Sequence, residues 1–312
     1  MLSLVIYLTP AIPSADTVRV VTSIKPVHSL AAMVLDGIAE PYLIVRGANS
    51  PHGYAMRPSD AQALAHADAV FWIGPAMETF LTKPLESLSG KARVVALLDD
   101  DDEHGAPHVH EKQGEHGQAK AHEHGQAKAH DHGDGHDHGG IDPHVWLDPE
   151  HAAEMVERMT ETMIGVLPAQ ASRLTSNRDQ ALAVLQTMEA DVRQTVEPYK
   201  SEHVVVLHDA YGHFTRHFGL EGFIALTVNP EHKPGPGQIR EVRREIKEHQ
   251  VRCVFAEPQF PDTHINLLIE GSGAKPATMD PLGADLTPGA ALYPKLLLRL
   301  AASFRDCLAG TS

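Results

Sequence analysis

Three histidines stand where apolar runs give out. His52 lies in a loop dense with turn formers after Tyr42–Val45, His144 follows a long polar insert, and His208 comes directly after Val204–Leu207. Neutral imidazole is a borderline ligand that suits zinc, copper and nickel, and three imidazoles with one position open or filled by oxygen suit tetrahedral Zn²⁺. Asp280, closing a short strand read at 277–280, is a candidate for that fourth position. A lone histidine at a strand end is more often structural, so this chemistry needs an architecture that gathers all three. The carboxylates Asp142, Asp148 and Asp209 either orient imidazole rings or cap helices. Glu78 and Glu257 either orient a ligand ring or serve as caps and interlobe contacts. His213 and His217, four apart, read as one face of a helix in preference to a metal pair. His28 reads as surface in preference to lining the cleft, and Trp72 and Trp146 as core.

The insert is the second place where ligand types concentrate. Ten of the 22 histidines fall in one polar segment: His104, His108, His110, His116, His122, His124, His130, His132, His136 and His138. Within it the octapeptide Glu115–His122 is repeated as Glu123–His130. A unit this short and polar cannot bury a face, so the repeat is low complexity and not a solenoid. With almost no large apolar residue to offset chain entropy, 99–142 is expected to be disordered without a ligand and to serve as an auxiliary segment that captures metal or senses its excess. Of the formal net charge of −15, residues 99–142 carry −9. That imbalance argues against nucleic acid as a partner and fits the attraction of cations.

Placing the three histidines is the task of the elements around them. Val18–Thr22, Tyr42–Val45, Ala69–Ile73 and Val94–Leu98 read as strands, with helices at Val27–Leu35 and, with Ser59 as its cap, through Ala61–Ala67 between them. Asp148 is a helix cap with Pro149 at the first helical position. From Ala169 to Lys200 the apolar residues fall three, four or seven apart, which predicts one helix of some 30 residues, roughly 45 Å long. The second half follows the same pattern, with strands at Val204–Leu207, Phe223–Val228, Cys253–Phe255 and 277–280, and helices at Ile239–His249 and Leu296–Leu308. Strands alternating with helices argue for parallel sheets. The predicted class is α/β, with two Rossmann-like lobes (16–168 and 201–312) joined by a linker helix over 169–200. Open sheets of this kind bind ligands at the carboxyl ends of their strands, which puts the metal site in the cleft between the lobes.

The N-terminus, Met1–Leu8, resembles the apolar part of an export signal, with Pro13-Ser14-Ala15 supplying a small residue before Asp16. No basic residue precedes it, and a first strand is the alternative; export with cleavage after 1–15 is the expectation. Only Cys253 and Cys307 occur. In an exported chain they bridge, in a cytosolic one they stay free and buried, and a Cys₂His₂ zinc site lacks the usual close cysteine spacing.

Taken together, these residues resemble the periplasmic solute-binding subunits of the high-affinity zinc ABC importers, the ZnuA type within the cluster A-I metal-binding proteins. The resemblance rests on Ser23-Ile24-Lys25-Pro26-Val27, on Ser50-Pro51-His52 with Tyr54 and Arg57-Pro58-Ser59-Asp60, and on Trp72-Ile73-Gly74-Pro75 with Met77-Glu78. It continues through His144-Val145-Trp146-Leu147, His208-Asp209-Ala210-Tyr211-Gly212, Phe255-Ala256-Glu257-Pro258-Gln259-Phe260 and Asp280-Pro281-Leu282-Gly283. It implies a non-enzymatic, monomeric, periplasmic protein that delivers Zn²⁺ to a membrane permease. It implies zinc ligation by His52, His144 and His208, and a disulfide between Cys253 and Cys307. Some zinc relatives carry Glu before the first ligand, where this chain has Pro51. Water, Asp280 or an insert histidine is then left for the fourth position. The manganese or adhesin-type relatives, which have a carboxylate where His208 stands, are the alternative reading. A zinc hydrolase, using His₃ to activate water, is the more distant one; no HExxH motif occurs.

Overall fold

Valine-rich runs build two four-stranded sheets, both wholly parallel. The computed structural model describes residues 18–98, 141–228, 230–231 and 233–310. The expected export signal and the ten insert histidines lie outside the described residues. The first sheet has order β2-β1-β3-β4, from β1 (Val20–Thr22), β2 (Tyr42–Leu43), β3 (Ala69–Trp72) and β4 (Arg93–Ala96). The second has order β6-β5-β7-β8, from β5 (Val204–His208), β6 (Phe223–Thr227), β7 (Cys253–Ala256) and β8 (Lys275–Thr278). The two halves therefore share one strand order. In each, the first strand in sequence is central, with connections leaving in opposite directions. That is where an open parallel sheet forms its ligand crevice.

Helices α1 (Lys25–Val34), α2 (Pro58–Ala65) and α3 (Thr82–Leu88) accompany the first sheet. The second is accompanied by α6 (Gly212–Phe218), α7 (Pro236–Glu248), α8 (Thr263–Ile269) and α9 (Leu292–Ala309). Helix α4 (Pro149–Val166) packs against α1 and against α5 (Ala171–Val196), which in turn packs against α9. The Asp148 carboxylate caps α4 by accepting the Glu150 N–H, with Pro149 in its first turn as expected. Helix α5 spans 26 residues, about 39 Å, and is shorter than its apolar spacing predicts. Short 3₁₀ turns carrying Pro168 and Pro198 flank it, because proline cannot donate into an α-helical ladder.

One apolar core runs through both lobes, from Val20, Val70 and Phe71 through Met159, Leu185 and Val192 to Val206, Phe255, Leu297 and Phe304. A polar seam adds to it. The Lys25 ammonium is buried and donates to the carbonyls of Gly283 (2.8 Å), Ala284 (2.6 Å) and Leu286 (3.2 Å) across the lobe boundary. Beside it the Ser29 hydroxyl donates to Gly289 (2.8 Å), and Trp146 Nε1 donates to Pro281 (2.8 Å). Gly283 has φ +68°, a conformation that lets the loop turn its carbonyl toward Lys25. No helix among the described residues is long and apolar enough to cross a membrane.

Two local expectations are corrected. His28 is not a surface residue: it is 5% exposed, with Nε2 3.0 Å from the Pro41 carbonyl. The start of α2 is capped through Asp60, which accepts the Arg57 N–H at 2.8 Å, and not by Ser59.

Candidate metal centre

His52, His144 and His208 converge. Their ring centroids lie 5.6 Å (His52–His144), 5.9 Å (His52–His208) and 5.2 Å (His144–His208) apart, and one ligand atom from each falls within 4.8 Å of the others. His52 hangs from the loop after β2, its amide donating to the Ser50 hydroxyl at 3.2 Å. His144 is held in the turn before α4, and His208 is the last residue of β5. The pocket between them is walled by Pro51, Trp146, Phe260, Pro281 and Leu282, and it admits a guest about the size of one atom.

Two of the rings have their tautomers fixed. His144 Nδ1 is 2.8 Å from Asp142 Oδ1, which also accepts the His144 backbone N–H at 3.1 Å. Burial pushes the Asp142 carboxyl up, but the bonds to His144 outweigh it and hold the group below its ordinary range. Asp142 is therefore ionised, and Nδ1 is the donor. His208 Nδ1 donates in the same way to Glu257 Oε1 at 2.7 Å, with both side chains buried. Each ring then turns a bare Nε2 lone pair inward, and the two Nε2 atoms stand 3.3 Å apart. Two nitrogens bound at ~2.0–2.1 Å to one tetrahedral ion are separated by about 3.3 Å, so the pair is spaced as zinc requires. Without a cation those lone pairs repel. Burial first, then the charges of its two neighbours, push His52 down to about 3, so it is a neutral, metal-ready base at any physiological pH.

Asp280 is not brought into this group. Its Oδ1 accepts the Gln259 amide (2.8 Å) and the Leu282 N–H (3.0 Å), and its Oδ2 accepts the Ala284 N–H (2.5 Å). It builds the turn whose carbonyls receive Lys25, and it lies two residues beyond the end of β8. Asp280→Asn is accordingly expected to lower stability by about 1–2 kcal/mol through the lost charged hydrogen bonds while leaving zinc affinity within roughly threefold of wild type. Parallel urea melts and zinc titrations check both halves.

Among the flanking carboxylates, Asp142 takes the ring-orienting one of its two readings, whereas Asp209 is exposed. Glu257 is the orienting partner of His208. Glu78 serves the backbone instead, accepting the Gly74 N–H at 3.0 Å, and burial pushes its carboxyl up to about 7. Trp72 and Trp146 are core. Gln259, which fixes Asp280 and lines the pocket, drew no role from the sequence, because nothing local to it marks it out.

His217 joins three elements. Its Nδ1 is 2.7 Å from Asp148 Oδ1 at the cap of α4, and its Nε2 is 3.0 Å from Glu189 Oε1 on α5. Burial alone would lower its pKa, but the two carboxylates outweigh burial and raise it. The linkage follows in sign: the stabilisation is complete below the unfolded value near 6.5 and is lost as pH rises through the higher folded value. In EDTA, His217→Gln is expected to cost roughly 2 kcal/mol in urea melts at pH 6 and clearly less at pH 9. An equal cost at both pH values would show that the ring is neutral in the folded chain.

The family model for the periplasmic component A of the zinc-uptake complex, ZnuA, matches residues 20–307. The high-affinity zinc uptake system protein ZnuA of Brucella abortus is 38% identical over 304 residues, covering 93% of this chain and 91% of its own. The protein of the same name from Yersinia pestis is 35% identical over 297 residues, with coverage of 93% and 91%. Among solved structures, a ZnuA crystal structure superposes with TM-score 0.72 at 20% identity, covering 93% of this chain and 100% of that one. The periplasmic zinc-binding protein TroA from Treponema pallidum superposes with TM-score 0.76 at 19% identity, with coverage of 94% and 99%. At that identity the structures speak for the fold: two α/β lobes and a long helix.

Proposed function

The chain belongs to the family of the periplasmic component A of zinc-uptake complexes, and on that premise we propose that it captures Zn²⁺ between its lobes on His52, His144 and His208 and delivers it to the membrane permease of an ABC importer. It is a transport component and not an enzyme, and zinc is its cargo. The observation that carries the ligand assignment is the convergence of three imidazoles, two of them with Nδ1 tied to carboxylates so that Nε2 faces inward. A tetrahedral ion held by three protein nitrogens keeps one position for water or an incoming group. An imidazole at position 208, where a carboxylate would suit a harder ion, favours zinc over manganese. We assign 16–168 and 201–312 as the two lobes, 169–200 as the linker, and 1–15 as the export signal that sends the chain to the periplasm. The insert histidines act as weak exchangeable sites that raise the local zinc concentration.

The test is a zinc titration against a chromophoric competitor, on the whole chain and on one lacking Glu103–Gly139. A single tight site that survives the deletion supports the three-histidine centre. Tight binding that vanishes with the deletion would move the primary site to the insert. Manganese competing on equal terms would overturn the choice of metal.

A further inference from the structure

On the far side of Asp142 from His144 lies a second set of ligand-type side chains. Asp148 at the cap of α4, His151 in the first turn of that helix, and His213 in α6 bring one ligand atom each within 4.8 Å of the others. The His151 and His213 rings have centroids 5.2 Å apart at 66°, nearly the relation of His144 to His208, at 5.2 Å and 62°.

Proton accounting shows how His213 is set. An arginine can only donate, so His213 Nδ1, 3.2 Å from an Arg216 nitrogen, carries the lone pair. His213 Nε2 is 3.1 Å from the Asp142 carbonyl oxygen and therefore carries the proton. One nitrogen anchored on a carbonyl with the other presenting its lone pair is how metal-ligating imidazoles are held. The cation now facing that lone pair belongs to Arg216, an exposed side chain that can swing away. Asp148 Oδ1 already accepts the Glu150 N–H (2.8 Å) and His217 Nδ1 (2.7 Å), and a carboxylate has a second oxygen to offer an ion.

We propose that Asp148, His151 and His213 form a second divalent-cation site, suited to a borderline ion such as Zn²⁺ and completed by water. Two imidazoles and a carboxylate, with Arg216 as competitor, bind less tightly than three imidazoles, two of them buried, so this site fills after the first. Asp142 connects the two. Its Oδ1 takes His144 Nδ1 at 2.8 Å, and its Oδ2 lies 3.8 Å from His213 Nε2. An ion on His213 thus acts on the carboxylate that orients a ligand of the main centre.

The experiment is zinc-edge anomalous diffraction from crystals of the full chain grown with one and with excess equivalents of zinc, paired with zinc titrations of variants in solution. With excess zinc, two anomalous peaks are expected, one among His52, His144 and His208 and one among Asp148, His151 and His213. His151→Ala, a helix-favouring change, should lose the second peak and one equivalent of bound zinc while keeping the first. Arg216→Ala should fill the second site at ~3-fold lower free zinc, the effect of removing one solvent-screened charge. A filled first site with no second peak at excess zinc overturns the proposal, and so does a second peak that survives His151→Ala. A second peak with the first site empty would instead sink the three-histidine reading and leave this one standing.

Discussion

Zinc affinity is expected to fall by roughly three orders of magnitude in His208→Ala, about 4 kcal/mol of binding free energy. The loss has two parts. One of three nitrogens leaves the ion, and Glu257, 1% exposed, loses the ring that its Oε1 accepts from. A buried carboxylate without its partner is costly, and the variant's pocket lacks the polarised ring that the native one presents. Glu257→Gln isolates the second part. It keeps shape and an acceptor but removes the charge, and the expected cost is the 10–100-fold typical of groups that orient metal ligands. Competition titrations on both variants should therefore rank wild type, Glu257→Gln and His208→Ala in falling affinity. If Glu257→Gln binds as wild type does, the carboxylate merely satisfies a buried ring. If His208→Ala keeps tight binding, the ligand set is wrong. Thermal stabilisation by zinc gives an independent reading: a saturating ligand at a thousand times its Kd adds ~4 kcal/mol to stability, and that increment should vanish in His208→Ala.

How far the sequence led depends on whether the deciding contact was local. The strand-end histidines were legible because β5 is an unbroken apolar run that stops at His208, and because parallel sheets open their crevice at that end. Asp142, two residues from the ring it orients, drew the two readings of ring partner and helix cap, and the first is the one seen. Glu257 stands 49 residues from His208, and sequence could offer it only two undecided roles. Once β5 and β7 are paired with Val206 beside Phe255, the same register puts position 257 beside position 208. Asp280 shows the opposite failure. Strand β8 is an edge strand of mixed, largely exposed residues with Pro276 inside it, so its apolar pattern is weak and the reading slid two residues toward the C-terminus. That slip made a turn-building aspartate look like a strand-end ligand. His28 was misjudged because its own neighbourhood gives no hint that α1 is enclosed on nearly every side; eight of its ten residues are buried.

Removing the disulfide is expected to cost about 4 kcal/mol of stability with little effect on zinc affinity. Cys253 opens β7 and Cys307 lies near the end of α9; they are bonded, with Cα atoms 6.1 Å apart and a separation of 54 positions in sequence. Closing a loop of that length restricts the unfolded chain, and the chain-entropy model gives the ~4 kcal/mol figure. The bond also fixes α9 to the second sheet, where Arg252 donates to the Leu308 carbonyl at 2.9 Å. Helix α9 in turn contributes Leu297, Leu300 and Phe304 to the core that both lobes share. His52, His144 and His208 lie at other points of the fold, so zinc binding should survive wherever the chain still folds. The clean comparison is Cys253→Ala/Cys307→Ala, which leaves no buried thiol or hydroxyl, melted in urea with EDTA present. A midpoint loss equivalent to less than ~1 kcal/mol would show that the unfolded chain gains little freedom from the cut, and that packing of α9 alone holds the second lobe. The expected larger loss makes oxidation part of folding, so a chain kept reduced should match the double variant in stability and gain the difference once oxidised.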